Sequence, residues 1–543
     1  MFGHAQLVTC CLLVPLLLQF QGVRSVVISA DDEAAIEAML DHVMDCREIP
    51  GLTMTLVKGK EYKTISRGVA DLATGEPVTS RTLFHVGTLT QSFTSTLLAI
   101  VKQRSGNQVQ ADQPIAALLA PGELEFSNPE LVRQITLRDA LLHRTGLTTG
   151  SIGSLTGLPQ AMSRADLIKN LKELPQQSGL REGFNFNKFT FTLAAYAAEK
   201  LMSSTWEKLM RSHLLDRLLM TSTLVDSDDT SGPEFARSYV SEEGKLVEGD
   251  RRLLNLGPLA PAGTMWTTSE DMNKALRLFL GDAMLFSQIQ LPGGAMEEMM
   301  MPHILLGPAY RSALDRSGAA WPVPDFNVGY GMGFFRNVYR GYQVPWQVSV
   351  DHGFGTIMWL IPEKNTGLFI SLNGQKHSEM PMATLQALTY YVTDILLGEE
   401  PWLNASSICS FPAPFAEAVE FPDMKFETRS ADFVLSDYIG RFNSPLLGDL
   451  FVRKHPTMIN ALRFAMADIE GKMLPEGGNV FRLFLEGRHR YMAAPRAGRE
   501  NIPFARLFFE FAGPECVGVK VPDTIFGGAP VDFKRVADLK EEL

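Results

Sequence analysis

Strand-forming sequence gathers at both ends of the first 400 residues, with a long helical stretch between. Ala35, Ile36, Met39, Leu40 and Val43 recur at helical spacing from Asp31 to about Cys46, and Pro50-Gly51 stops that helix. Two β-prone runs, residues 52–57 and 62–68, follow on either side of the turn signal Lys58-Gly59-Lys60. Leu97, Leu98 and Val101, with Phe93 one turn earlier, give the next helix an apolar face, and that helix begins at about Gly87-Thr88. From roughly residue 112 to 217 the chain reads as helical and loop-rich. Strand character returns over residues 330–338, 346–350, 356–361 and 367–372, and a helix over about 382–397 closes the unit.

A chain of 543 residues exceeds what one core serves, since single cores stop growing at roughly 250 to 300 residues. The second unit shows in a change of pattern. Residues 401–422 are rich in Pro, Ser and Ala without periodicity, which marks a linker or a long wrap. Beyond it Phe481, Leu483 and Leu485 alternate along one run and Ala505, Leu507, Phe509 and Phe511 along another, so a small antiparallel β domain is expected. The predicted division is residues 1–25 as signal peptide, 26–400 as the main domain, 401–430 as linker and 431–543 as a β-barrel-like domain.

Several functions are disfavoured. The net charge of -11 is spread along the chain, which argues against a nucleic-acid partner. No Cys or His spacing resembles a metal site, and no metal or other cofactor is expected. Gly329-x-Gly331-x-Gly333 lies among aromatic strand residues without a following helix, so it does not read as a nucleotide loop. The apolar stretch over residues 7–20 suits a signal-peptide core and is short for a bilayer span of about 20 residues; an uncleaved anchor is the alternative. Asn404-Ala405-Ser406 is a glycosylation sequon in a polar stretch, as secretion would permit. With Cys10 and Cys11 in the removable segment, Cys46, Cys409 and Cys516 allow one disulfide; a Cys409–Cys516 bridge and buried free thiols are both open.

A series of short motifs carries more. Ile49-Pro50-Gly51 precedes the hairpin, Thr82-Leu83-Phe84-His85-Val86-Gly87 precedes the next helix, and Thr136-Leu137-Arg138-Asp139-Ala140-Leu141-Leu142-His143-Arg144-Thr145-Gly146-Leu147 ends in His-x-x-Gly-Leu. Pro261-Ala262-Gly263, Thr267-Thr268-Ser269-Glu270-Asp271, Tyr330-Gly331-Met332-Gly333 and Ile361-Pro362-Glu363 follow in order. Over about residues 34–397 this order resembles the serine β-lactamases of class C and the D-alanyl-D-alanine carboxypeptidases. The resemblance implies an α+β fold: an antiparallel sheet flanked by helices, with a mostly helical subdomain. Tyr438-Ile439-Gly440-Arg441-Phe442 and Asp532-Phe533-Lys534-Arg535-Val536 are similar to the small lipocalin-like or barrel domain attached to some of these hydrolases, which implies an accessory or cleft-covering role, a purely structural domain being the alternative.

In that family a Ser opens the nucleophile helix and a Lys three residues on, on the same face, takes its proton. Thr88 and Gln91 stand at those positions here. Thr keeps a hydroxyl but adds a methyl and a stiff χ1, and Gln cannot titrate. The family's Tyr-x-Asn aligns with Phe186 and Lys188; a shift of one residue puts Asn187 in the Asn role, and no frame restores a Tyr. Its Lys/His-x-Gly is represented by Asp351-His352-Gly353-Phe354-Gly355, with His352 the candidate and Gly353 alternatively in the loop after that motif. His85 and His143 read as packing or capping residues. The catalytic positions are thus Thr88, Gln91, Phe186, Lys188 and His352, mostly degenerate, and they imply a secreted pseudoenzyme whose cleft holds a small molecule, peptide or protein. Two alternatives stand beside it: an amidase or esterase using Thr88 as nucleophile, and an interaction protein acting through its C-terminal domain.

Overall fold

The computed structural model describes residues 28–106, 110–148, 158–159, 161–225, 232, 234–242, 244–306, 320–376, 381–415, 429–492, 504–523 and 528–536. The expected signal segment lies outside them, as does the second half of the expected linker.

Helix α1 (Ala30–Arg47) is capped by Ser29, whose side chain accepts from the Asp32 amide, and it buries Ile36, Met39, Leu40 and Val43 along one stripe. Strands β1 (Gly51–Lys58) and β2 (Glu61–Asp71) form the expected hairpin, with Lys58 opposite Glu61. The short β3 (Glu76–Pro77) edges it. The late strands are β4 (Asp325–Tyr330), β5 (Phe335–Tyr339), β6 (Tyr342–Asp351), β7 (Phe354–Ile361) and β8 (Thr366–Leu372). Together they build one eight-stranded antiparallel sheet in the order β3-β2-β1-β8-β7-β6-β5-β4. The first and last strands of the domain meet at its centre, Leu52 opposite Leu372.

Period-two alternation sorts the side chains of the central strands into two cores. Leu52, Met54, Leu56, Ile357, Trp359 and Ile370 face one side, where α1 and α6 (Pro381–Leu397) pack. Met358, Leu360 and Phe369 face the other, against the helical subdomain. There lie α2 (Thr90–Arg104), α3 (Leu137–Leu141), α4 (Lys188–Met202) and α5 (Ser269–Phe279). Covering both faces explains why β7 is apolar almost throughout and buried along its whole length. The strand expected over 330–338 is instead two strands. Gly331 N–H donates to the Phe334 carbonyl at 2.7 Å and Gly333 adopts φ 86°, a turn that side chains resist.

Residues 401–415 wrap back over the first core. Trp402, Phe411 and Phe415 cluster with Trp321, and Cys409 is bonded to Cys46 of α1. The Cys409–Cys516 bridge is therefore not made: Cys516 is a free thiol buried in the C-terminal core. Asn404 is exposed and caps the short helix Ala405–Ile408.

The C-terminal unit is a closed eight-stranded antiparallel barrel, β9 (Gly440–Ser444), β10 (Gly448–Lys454), β11 (Leu462–Met466), β12 (Ile469–Gly477), β13 (Val480–Leu485), β14 (Ala505–Ala512), β15 (Glu515–Asp523) and β16 (Gly528–Arg535). Closure leaves no open edge, and Phe442, Phe464, Phe481, Leu507 and Phe533 fill the interior. The barrel touches the main domain through Arg252–Asp468 at 3.4 Å and through a buried His489–Asp250 pair at 2.9 Å. No helix among the described residues is long and apolar enough to cross a membrane.

Candidate functional site

The cleft is organised by the turn that opens α2. Phe84–His85 pairs with Trp266–Thr267, fixing the approach, and Gly87–Leu89 forms a single 3₁₀ turn that runs into the helix. Gly87 has φ 47°, and a Cβ there would stand 2.1 Å from Ser349 Oγ and 2.5 Å from Asp351 Oδ2. Only glycine lets this turn come so close to β6.

Thr88, 9% exposed, meets β6 directly. Its backbone N–H donates to Ser349 Oγ at 3.0 Å, and the two hydroxyl oxygens lie 3.5 Å apart. Ser349 in turn donates to Asp351 Oδ2 at 2.5 Å. Burial raises the Asp351 carboxyl, but the Lys188 ammonium and the Ser349 hydroxyl outweigh it and hold the group down at about 2. The amide at the start of a nucleophile helix is a donor that an acyl oxyanion requires. Here a side chain of the same protein already occupies it.

Gln91 lies one turn along α2 and is fully buried. Its Oε1 accepts from the Tyr330 hydroxyl at 3.1 Å and faces His143 Nε2 at 3.2 Å. His143 Nδ1 accepts the Asn187 amide at 3.0 Å, so the ring proton belongs on Nε2 and points at Gln91. Burial pushes the His143 pKa down to about 3, and burial likewise raises that of Tyr330. Among the described residues Gln91 Nε2 has no hydrogen-bond partner.

Phe186 is half-buried, its ring 4.5 Å from that of His143. It holds the imidazole and offers no proton. Asn187 caps α4, its Oδ1 accepting from Thr190 N–H and its Nδ2 donating to the Thr148 carbonyl. Lys188 is therefore the first helical residue, and its Nζ reaches to 3.7 Å from where a Cβ on Gly263 would stand. His352 lies in the tight β6–β7 turn with φ 45°. Burial lowers its pKa to about 4 against the opposing pull of Asp351, and the same pair of influences lowers His85 to about 4.

The structure thus brings Thr88, Gln91, Phe186 and Lys188 around one cleft, with His352 at its β6 end. The third-motif strand meets Thr88 through Ser349. Ser349, Asp351 and Tyr330 are site residues that the sequence reading did not single out. One signal was present: Gln347, Ser349 and Asp351 recur at period two between the apolar Trp346, Val348 and Val350, which puts these polar groups on one face. Among the described residues, the one His/Cys/acid group with metal-like spacing is His42, Cys46 and Cys409, whose two sulfurs are joined in the disulfide.

Comparison with known proteins places this geometry. The beta-lactamase family profile matches residues 36–391. The chain belongs to the β-lactamase family. Among curated relatives, an unguisins hydrolase of Aspergillus campestris is 25% identical over 373 residues, which cover 67% of this chain and 65% of that protein. A β-lactamase of Pseudomonas fluorescens is 23% identical over 225 residues, 40% of this chain and 58% of that protein. The chain thus spans less than two thirds of the length of these curated relatives. In three dimensions, the octameric penicillin-binding protein homologue from Pyrococcus abyssi superposes with a TM-score of 0.57 at 15% identity, covering 93% of this chain and all of that one. The D-amino acid amidase from Ochrobactrum anthropi gives 0.54 at 20% identity, covering 68% of this chain and 98% of that one.

Proposed function

We propose that this is a secreted β-lactamase-fold protein whose cleft binds a small molecule or peptide without covalent turnover. One observation carries the reading: the Thr88 amide is taken by Ser349 Oγ, while its hydroxyl, among the described residues, meets that same serine and no base. A positioned general base contributes about 10² to 10⁴ in rate, and Gln91 supplies none. The three cleft histidines are held neutral yet do not hydrogen-bond Thr88; His143 is spent on Gln91 and the Asn187 amide.

The second reading, an amidase or esterase acting through Thr88, is favoured by one feature. Lys188 directs an amine toward the Gly87–Gly263 side of the same cleft, and a relative is named a hydrolase. Intact-mass measurement of the purified protein after exposure to a fluorophosphonate and to a fluorescent β-lactam separates the two. The binding reading expects no added mass. An adduct that disappears in Thr88→Ala overturns it and establishes the hydrolase.

A further inference from the structure

Further along α2, on the face that also carries Gln91, lies a cavity of about 290 Å³, near the lower end of ligand-sized pockets. Its walls come from Leu98 and Ala99 of α2, Leu137 and Leu141 of α3, and Ala197 and Leu201 of α4. The Pro292–Gly294 loop and the start of the short helix Ala295–Met300 complete them. Apolar side chains dominate its lining, and ligand pockets are mostly apolar with a few placed polar groups. It suits an apolar occupant.

Two polar groups give that occupant a head. Ser95, 2% exposed, lines the cavity, and among the described residues its hydroxyl has no hydrogen-bond partner. Lys102, two turns further along α2, also lines it. The other ionisable residue of the lining, Glu298, is engaged by Arg138 at 3.0 Å, and Arg138 is also held by Asp112 at 2.7 Å. Lys102 makes no ion pair among the described residues, whereas Glu298 and Asp112 are both engaged by Arg138, so Lys102 is the ionisable group of the lining without a partner of its own. We propose that this cavity binds a medium-chain fatty acid, its chain among the alanines and leucines, its carboxylate on Lys102. The cavity adjoins the candidate site without including it: Ser95 lies one turn beyond Gln91 on the same face, and none of Thr88, Gln91, Phe186, Lys188 and His352 lines the cavity.

Isothermal titration of the full chain with decanoate, decanol and decylamine tests this. Saturable one-to-one binding of decanoate is expected, with decylamine failing to bind. Lys102→Met should weaken decanoate about tenfold and leave decanol as in the wild type. Ala99→Phe fills the cavity and should abolish both. Gly293→Trp does the same from the rim, where an added Cβ meets no atom within 4 Å, so its folding is not at issue. Absence of saturable decanoate binding, decylamine binding as tight as decanoate, or wild-type affinity in Gly293→Trp overturns the proposal.

Discussion

The first turn of α2 and the segment 136–147 meet where Gln91 faces His143, yet their polar groups are matched to very different degrees. In 136–147 the accounting is complete. Thr136 and Asp139 form a reciprocal capping box, and the fully buried Asp139 carboxylate is held by Arg144 at 2.7 Å and Arg181 at 2.8 Å. In the first turn of α2, Gln91 Nε2 is buried without a partner among the described residues. The Thr88 amide is satisfied by a serine from another strand. Where the fold needs charge, the charge is present and paired; at the positions that resemble the family's proton carriers, Gln91 and Phe186 offer an amide and a phenyl ring. The segment that shapes the cleft and the segment that would act in it answer to different demands.

The sharpest way to break this comparison is at Asp139. Asp139→Ala removes the carboxylate that caps Thr136 and holds Arg144 and Arg181. Both guanidiniums reach water, 20% and 48% exposed, so the cost is that of the lost cap and charged hydrogen bonds, about 2 to 4 kcal/mol. Denaturant unfolding should show that loss. A change below about 1 kcal/mol would mean that the segment is no better tied than its neighbour.

Gln91→Leu comes next. It leaves the Tyr330 hydroxyl and the His143 Nε2–H without their acceptor while removing the unpaired Nε2, so the net loss is about 1 to 3 kcal/mol by the same measurement. Stabilisation instead would show that Gln91 contributes nothing to the scaffold.

How much of this was readable beforehand follows the same division. The helical stripe of α1, the 58–61 turn and the alternation at Phe481, Leu483 and Leu485 are local patterns, and each element appears where its period places it. Thr88 and Gln91 were legible because three-residue spacing on a helix puts them on one face. Ser349 and Asp351 were not, because their meeting with Thr88 depends on the register of β6 against a turn 261 residues earlier. The Cys46–Cys409 pairing was equally hidden, since it joins residues 363 apart through the wrap of 401–415.

Acid should probe the neutral imidazoles. Burial lowers the pKa of His143 to about 3 and of His85 to about 4, both below the ordinary value near 6.5. Below that ordinary value the unfolded chain binds protons that the folded chain refuses, so stability is full above about pH 6.5 and falls as pH drops toward 4. Each of these two histidines contributes a slope of up to about 1.4 kcal/mol per pH unit. Asp351, held at about 2, adds its own loss only below pH 4. Thermal unfolding from pH 7 to pH 4.5 should show the decline, and His143→Gln should make it shallower. An unchanged slope in that variant would assign the acid sensitivity elsewhere.

Ser349→Ala has the smallest expected effect and bears most directly on the chemistry. It removes one acceptor from the Thr88 amide and one donor from Asp351, a cost of about 1 kcal/mol, and the Asp351 carboxyl should rise above its present value of about 2. The variant also frees the amide to hold an oxyanion. If the missing base is what keeps Thr88 inert, the freed amide changes nothing, and fluorophosphonate should still leave no adduct by intact mass. If an adduct appears, occupancy of the amide by Ser349 was the block, and Thr88 with Lys188 nearby is a nucleophile held in check by one hydroxyl group.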